Sequence, residues 1–217
     1  MMLQKLIKEI KNEQLNAGSN KWTYRASGNV LELLVLPQFV HNKKAFRCSV
    51  ISAGQALAAL KTQYNKAAEE LFIQTFPNIE NPQVICSIRV DDSGYSKSDT
   101  APEPVIFKNK CSSIDDYLQK TAENFHLSTQ SAYLPDEAIK LISASSRFNH
   151  TYIFVSKLDN PFTWLNVGYC KEAVSQYMKL HEPDKPFFLY HFSHQREEFK
   201  KHTDLKNSTH LQGIIGY

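Results

Sequence analysis

Residues 45–66 have the sequence AFRCSVISAGQALAALKTQYNK, whose apolar spacing predicts a long helix in the first half of the chain. Its middle is dense in small side chains, namely Ser52, Ala53, Gly54, Ala56, Ala58 and Ala59. A helix face built from small residues lets another backbone or a flat ligand approach closely. Tight helix packing explains this composition at least as well as a ligand-binding surface does.

Shorter patterns on both sides of this helix predict the remaining elements. Amphipathic spacing predicts a first helix from Leu3 to Leu15, which ends near Gly18. Apolar runs predict strands at 30–36, 71–76, 84–90, 152–155 and 211–217, and a short strand or a buried turn at 186–190. Capping residues and periodicity predict further helices that open at 112–116, 135–137 and 159–161, and another at 194–201. These elements indicate an α+β protein with helices segregated around a mixed sheet.

A polar stretch from Asp91 to Glu103 separates two halves of similar outline and predicts an exposed loop or linker. Each half has a strand, a loop, a long helix around a central glycine (Gly54 or Gly168), and an apolar strand near its end. Half-repeats 1–90 and 105–217, joined by a polar loop at 91–104, would show this order. The identity between the halves is too low to prove duplication, and the length of 217 residues favours a single domain, 1–217.

The composition is that of an ordinary globular protein, with 42% hydrophobic and 22% charged residues, which argues against disorder, collagen and coiled coil. A net charge of +3 disfavours nucleic acid as a partner, since phosphate neutralisation usually requires a clearer basic excess. The N-terminal residues lack a secretory pattern, and no apolar window approaches about 18 residues. We therefore expect a cytoplasmic protein without a membrane partner.

The four cysteines form no C-x-x-C pair, which argues against a zinc ribbon or a thioredoxin-like motif. Cys48, Cys86 and Cys170 lie in apolar periodic segments, so we predict reduced, buried thiols, with two disulfides as the alternative. His191 and His194 are three residues apart, but their spacing does not match H-E-x-x-H and the preceding run, 186–190, is predicted to be extended. No metal site is assigned.

Residues 47–57, RCSVISAGQAL, resemble a segment of the nitroreductase-like flavoproteins, and most closely the Acg-type branch, whose long chains carry two related halves. In that family an arginine precedes Ile-Ser-small-Gly-x-Ala-Leu at the head of a long helix. Other similar stretches follow in matching order, at 19–22, 29–33, 76–78, 82–88, 164–168, 211–212 and 216–217. The resemblance runs along nearly the whole chain, and it is carried by order and spacing rather than by one specific motif.

This resemblance implies a layered α+β fold in which helices flank a central, mostly antiparallel sheet with an internal pseudo-two-fold. It also implies an FMN-dependent oxidoreductase that takes a hydride from NADH or NADPH and passes electrons to a small-molecule acceptor. Family members bind flavin between two subunits or two pseudo-repeats, so the resemblance implies a homodimer or a single-chain pseudo-dimer. Because the chemistry belongs to the flavin, no catalytic side chain is assigned.

Six residues are candidates for the cofactor site by this resemblance: Ser19, Asn20, Trp22, Arg47, Lys108 and Lys110. Asn20 would hydrogen bond to the flavin ring, or it caps a loop. Trp22 would border the ring, or it belongs to the core. Arg47 opposes the dipole at a helix start, which favours an anionic partner, with a solvent-facing side chain as the alternative.

The chain departs from the family at the phosphate clamp. The basic cluster Arg-Arg-[Ser/Thr]-x-Arg is absent, and Lys108 and Lys110 stand at the comparable place. Two lysines neutralise a phosphate as point charges, without the bidentate fork of arginine, and a solvated basic loop is the alternative. The second hypothesis is therefore a nitroreductase fold without flavin catalysis that acts as a binding or interaction module. A third is an unrelated α+β domain that matches by chance.

Overall fold

The computed structural model describes residues 2–16, 22–66, 71–78, 80–90, 111, 113–142, 148–192, 195–206 and 208–217. The chain divides into two compact units, Met1–Lys108 and Asn109–Tyr217. Each unit contains its own four-stranded sheet. The stretch 91–104, which the sequence predicts to be the joining loop, lies outside the described residues.

The first unit consists of α1 (Met2–Asn16), β1 (Trp22–Ser27), β2 (Val30–Val35), α2 (Pro37–Val40), α3 (Lys43–Lys66), β3 (Leu71–Thr75) and β4 (Val84–Val90). Its strands are antiparallel and lie in the order β1-β2-β4-β3. β1 and β2 form a hairpin whose two-residue loop begins at Gly28, with φ of 58°. Glycine adopts this left-handed conformation without a Cβ clash, so the turn is tight.

The core of the first unit lies between this sheet and the helices α1 and α3, which also pack against each other. Alternation along β2 buries Leu31, Leu33 and Val35 completely, while Glu32 pairs with Arg25 on the other face. Helical spacing buries Leu6 and Ile10 of α1 and, from α3, Val50, Ile51, Leu57 and Leu60. Each such side chain contributes about 1.5–3 kcal/mol when fully buried, so this set is sufficient to hold α3 on the sheet.

The second unit consists of α4 (Ile114–Asn124), β5 (Ser128–Ser131), α5 (Asp136–Leu141), β6 (Thr151–Ser156), α6 (Pro161–His181), β7 (Phe188–Tyr190), α7 (Arg196–Lys200) and β8 (His210–Gly216). Its strands are also antiparallel, in the order β5-β6-β8-β7. Side-chain caps define two of its helix starts. Ser113 accepts a hydrogen bond from the backbone of Asp116, and Asn160 accepts one from Thr163 at 2.9 Å.

Apolar side chains on or directly after α5, β6, β7, α7 and β8 form one core cluster of the second unit, consisting of Ala138, Ile142, Ile153, Phe192, Phe199, Leu211 and Ile214. Phe192 and Phe199 contact each other with ring centroids 4.8 Å apart. This contact fixes the segment between β7 and β8 against the sheet, which places the start of α7 close to the start of α6.

The two units share the same topology. Each contains helix, strand, strand, long helix, strand and strand, with the strands in first-second-fourth-third order. The pairing of the second and fourth strands is interrupted at the same place in both. After Leu33 pairs with Cys86 the ladder skips Ile85, and after Phe154 pairs with Gly213 it skips Gln212. The equivalent β-bulges aim an apolar side chain inward in the first unit and a polar one in the second.

The α+β class predicted from the sequence is confirmed, and the helix predicted at 45–66 is α3. The prediction of a mixed sheet is wrong, since all described strand pairs are antiparallel. In place of one central sheet, the described residues form two sheets of four strands. Strands β1 and β5 were not predicted. Within the described part of the chain, no helix has the length and apolarity needed to cross a bilayer.

Candidate functional site

Two of the six predicted cofactor residues, Trp22 and Arg47, are described, and both belong to the first unit. The other four, Ser19, Asn20, Lys108 and Lys110, lie outside the described residues. The candidate site is therefore defined by α3 and the strand that packs against it.

The indole of Trp22 is completely buried at the first position of β1. Its Nε1 donates a hydrogen bond to Oγ of Ser52, at 3.0 Å, and Ser52 is itself buried on α3. A buried indole N–H needs an acceptor, so this bond satisfies the ring and joins the edge strand to the helix. Trp22 therefore belongs to the core, as one of the two alternatives predicted. Contact of its ring with a flavin stays a prediction.

Arg47 lies in the second turn of α3 and exposes only 4% of its surface. The solvent-facing alternative is therefore wrong. Because a guanidinium stays charged under all ordinary conditions and is costly to bury without polar partners, its surroundings must offer acceptors or a negative charge. At about 100° per residue, Gly54 and Ala58 each fall within about 20° of Arg47 around the helix, one on either side. This face of α3 therefore carries one charged side chain beside two small residues, and all three are buried.

The structure does not bring the two described candidates onto one face of α3. Ser52, the partner of Trp22, lies about 140° around the helix from Arg47. The tryptophan side of α3 faces β1, because the hydrogen bond holds it there. The arginine side is a separate buried surface, so the two residues have different roles in the unit.

A buried polar cluster lies at the start of α6 in the second unit, and none of its members was predicted as a site residue. Asp159 is its centre, with 8% of its side chain exposed. Arg196 donates to both carboxylate oxygens, at 2.8 and 2.7 Å, and Trp164 Nε1 donates to Oδ1 at 2.7 Å. Gln212 Nε2 donates to Ser156 Oγ at 2.8 Å and to Asp159 Oδ1 at 3.3 Å. We call these five residues the Asp159 cluster.

Two opposing influences determine the ionisation of Asp159. Burial raises its pKa and is the largest single effect, but the hydrogen bonds from Arg196 and Trp164, the charge of Arg196 and the amide of Gln212 together outweigh it. The pKa of Asp159 therefore lies well below its ordinary value of 3.8. The carboxylate stays ionised at neutral pH, and the cluster joins α6, α7 and β8.

A second polar contact of this unit joins Lys171 of α6 to His191 after β7. Lys171 exposes 8% of its surface, and its Nζ lies 2.7 Å from Nδ1 of His191. With the lysine protonated, Nδ1 acts as the acceptor, and the neutral imidazole carries its proton on Nε2. His194, the other member of the histidine pair noted in the sequence, lies outside the described residues. Among the residues that the structure does describe, no three His, Cys, Asp or Glu side chains group as metal ligands.

The sequence carried only a partial signal for the Asp159 cluster. Asp159-Asn160-Pro161 marks a helix start, but a capping pattern does not show that Asp159 faces inward while Asn160 caps. Gln212 lies in an apolar strand, where a lone polar residue predicts a buried hydrogen bond but not its partner. Arg196 is 37 positions from Asp159, and only the packing of α7 brings them together.

No known protein-family model matches the chain, and no curated protein sequence matches it.

Proposed function

We propose that this protein is an FMN-dependent oxidoreductase of the nitroreductase-like type, which passes electrons from NADH or NADPH to a small-molecule acceptor. The observation that carries the proposal is the repeated topology, with one strand order and one bulge position in both units. Two related halves in a single chain are what the resemblance in the sequence implies. In the sequence, the small-residue segment of α3 and the closing Gly216-Tyr217 follow the order that the resemblance implies.

Among the described residues, support for such a ligand comes from one surface, the buried face of α3 around Arg47. Arg47 supplies a fixed positive charge there, and the small residues Gly54 and Ala58 on the same face would let a flat ring system approach the helix closely. Lys108 and Lys110 would add charge against a phosphate, each as a single point charge. The flavin, when bound, supplies the hydride and electron chemistry, and the chain binds it, orients it and excludes water. In this proposal the chain works as a homodimer or as a single-chain pseudo-dimer.

The first test is an absorbance spectrum of freshly purified protein, recorded again after incubation with excess FMN and desalting. Retained flavin bands would support the cofactor site and lead to assays of NADH and NADPH oxidation. Arg47→Met keeps an unbranched apolar side chain but removes the guanidinium and its charge, and it should weaken FMN binding by about tenfold or more, since a charged hydrogen bond contributes about 1.5–3 kcal/mol. Lys8→Met, which removes an exposed positive charge from α1, is the matched control.

The lysines are tested separately with the double variant Lys108→Ala, Lys110→Ala. Weaker FMN binding is expected if they neutralise the phosphate. Unchanged affinity would remove them from the site while leaving the α3 face in place.

A second candidate function is a nitroreductase fold that no longer performs flavin chemistry and serves as a binding or interaction module. One observation favours it. The indole of Trp22 lies in the core and is saturated by Ser52, so it has no N–H to offer a ligand. A protein that stays colourless with and without added FMN would select this function and turn the search toward protein or small-molecule partners.

A further inference from the structure

The outer edge of β3 is an unprotected edge of the sheet in the first unit. β3 pairs with β4 on one side, and in the part of the chain that the structure describes no strand lies on its other side. Its sequence, LFIQT, contains no charged residue and no proline, and its pairing with β4 runs without a bulge. A flat and uncharged edge of this kind is a template for pairing with another strand.

The other three edge strands have features that oppose such pairing. β1 carries the charged Arg25, whose side chain is 61% exposed. β5 consists of polar residues only, and β7 has three residues and closely follows Pro186. Charge, polarity, shortness and proline are the means by which sheet edges avoid association, so β3 differs from the other edges in lacking them.

The register of β3 determines which of its backbone groups point outward. The N–H of Phe76 donates to the carbonyl of Ile85 at 2.8 Å, so these two residues form a hydrogen-bonded pair. Such pairs recur at every second residue of an antiparallel ladder, and Gln74 and Phe72 therefore also bond to β4. The intervening residues direct their N–H and C=O groups away from β4, namely Leu71, Ile73 and Thr75.

The side chains of β3 alternate between the two faces of the sheet. Ile73 lies opposite the buried Ile88 and belongs to the core face, whereas Phe72 lies opposite Arg89 on the outer face. Phe72 is 50% exposed, and Gln74 on the same face is also exposed. The edge therefore combines outward backbone groups with an exposed aromatic side chain.

We propose that β3 pairs antiparallel with β3 of a second copy of this chain, so that the two four-stranded sheets become one continuous sheet. When Ile73 lies opposite Ile73 of the second copy, Leu71 lies opposite Thr75 at both ends. The three pairs then exchange about six backbone hydrogen bonds. Any other register that brings the outward groups together forms fewer pairs, so this one is expected.

A second copy fits this edge because of its charge and symmetry. β3 is uncharged, so an antiparallel copy of the same strand brings no like charges together. Phe72 would lie opposite Gln74 of the second copy, and the two Phe72 rings would be diagonal neighbours within reach of each other. The two-fold pairing uses both β3 edges and leaves β1 with Arg25 outermost, so association stops at a dimer.

The size of the interface predicts a weak dimer. Five residues a side are far fewer than the roughly 20–30 of a standard interface, so we expect a dissociation constant of about 10 μM to 1 mM. The pairing does not depend on flavin binding, and a colourless protein tests it equally well.

The test is sedimentation equilibrium of the full-length chain over a concentration range of about 5 μM to 1 mM. We expect the average mass to rise from that of one chain toward that of two. Phe72→Lys removes the aromatic contact and places two like charges near the two-fold axis, so it should weaken the dimer by about tenfold or more. Tyr133→Lys makes the same kind of change at a residue that is 80% exposed in the second unit, and it should leave the dimer unchanged.

A second measurement identifies the interface in the wild-type protein, without relying on a variant. Amide hydrogen exchange followed by ¹⁵N NMR should show the outward N–H groups of Leu71, Ile73 and Thr75 protected more strongly at high than at low concentration. Phe72 and Gln74, which already bond to β4, should show no such change. Thr75→Pro removes one outward N–H, which an edge strand tolerates, and should also weaken the dimer.

The proposal is overturned if the chain stays monomeric at the highest concentration. It is also overturned if a dimer forms while the three outward amides exchange as fast as in the monomer, or if Phe72→Lys leaves the dimer as strong as Tyr133→Lys does. The edge of β3 would then be open only to an extended segment of a different protein.

Discussion

Removing the carboxylate of Asp159 should cost the second unit a large part of its stability. In Asp159→Ala, the guanidinium of Arg196 loses both oxygen acceptors, while it remains 83% buried and charged. Trp164 and Gln212 lose acceptors in the same place. Breaking a buried ion pair by removing one partner destabilises proteins by about 3–5 kcal/mol, and we expect a loss of this size.

The exposed pair Arg25–Glu32 in the first unit is the matched control. Nη2 of Arg25 and Oε2 of Glu32 are 2.5 Å apart, but 61% of the arginine side chain and 24% of the glutamate side chain are exposed. Exposed ion pairs contribute about 0.2–1 kcal/mol, so Glu32→Ala should cost the first unit no more than this. The contrast separates burial from the mere presence of an ion pair.

The chain offers a unit-specific assay, because it has two tryptophans and each lies in a different unit. The indole N–H signals of Trp22 and Trp164 can be followed by ¹⁵N NMR during urea denaturation and assigned with Trp22→Phe. Asp159→Ala should lower the urea midpoint of the Trp164 signal far more than Glu32→Ala lowers that of Trp22. Equally small shifts of the urea midpoint in the two variants would refute the reasoning. In that case, adding Arg196→Ala to Asp159→Ala should not raise the urea midpoint of the Trp164 signal again.

Two further predictions follow from the ionisation of buried groups. The folded-state pKa of Asp159 lies below its ordinary value of 3.8, so the ionised carboxylate stabilises the second unit fully above that pH and progressively less as the pH falls below it. The free energy of unfolding of this unit, measured through Trp164, should therefore depend less on pH in the acid range in Asp159→Asn than in the wild type. The same pH dependence in both proteins would contradict this ionisation of Asp159. Cys86 and Cys170 are buried, and burial raises the pKa of each thiol to about 12. Neither thiol should therefore react with iodoacetamide in the native protein, and the half-buried Cys111 should be modified first. Mass spectrometry of tryptic peptides before and after unfolding checks this, and native labelling of Cys86 or Cys170 would show that the cores open.

Local signals in the sequence were sufficient for most elements of the fold. The periodicity of 45–66 predicted α3, and the apolar run at 84–90 predicted β4 with its bounds as observed. Serine before the first turn of α4 and Asn160 before Pro161 act through the neighbouring backbone, so their effect is visible in the sequence. The prediction of buried, free thiols at Cys48, Cys86 and Cys170 is confirmed.

Other elements carried weaker local signals or depended on distant partners. The Gly28-Asn29 pair is typical of a hairpin turn, but β1, which precedes it, lacks a clear alternation of apolar and polar residues. β1 is an edge strand, and it contains the polar residues Arg25 and Ser27. β5 is polar throughout because it is an edge strand with little buried surface. The burial of Arg47 could not be predicted, since an arginine near a helix start is usually solvated.

The sequence by itself determined the α+β class of the protein, the starts of α4, α5 and α6 and the periodic faces that enter each core, because these depend on backbone geometry over a few residues. Only the tertiary structure decided which polar groups meet. Trp22 finds Ser52 across 30 positions, Asp159 finds Gln212 across 53, and Tyr217 finds Asp115 across 102. Strand order and register bring these residues together, and in the second unit a β-bulge also turns Gln212 inward. None of these features has a local signature in the sequence.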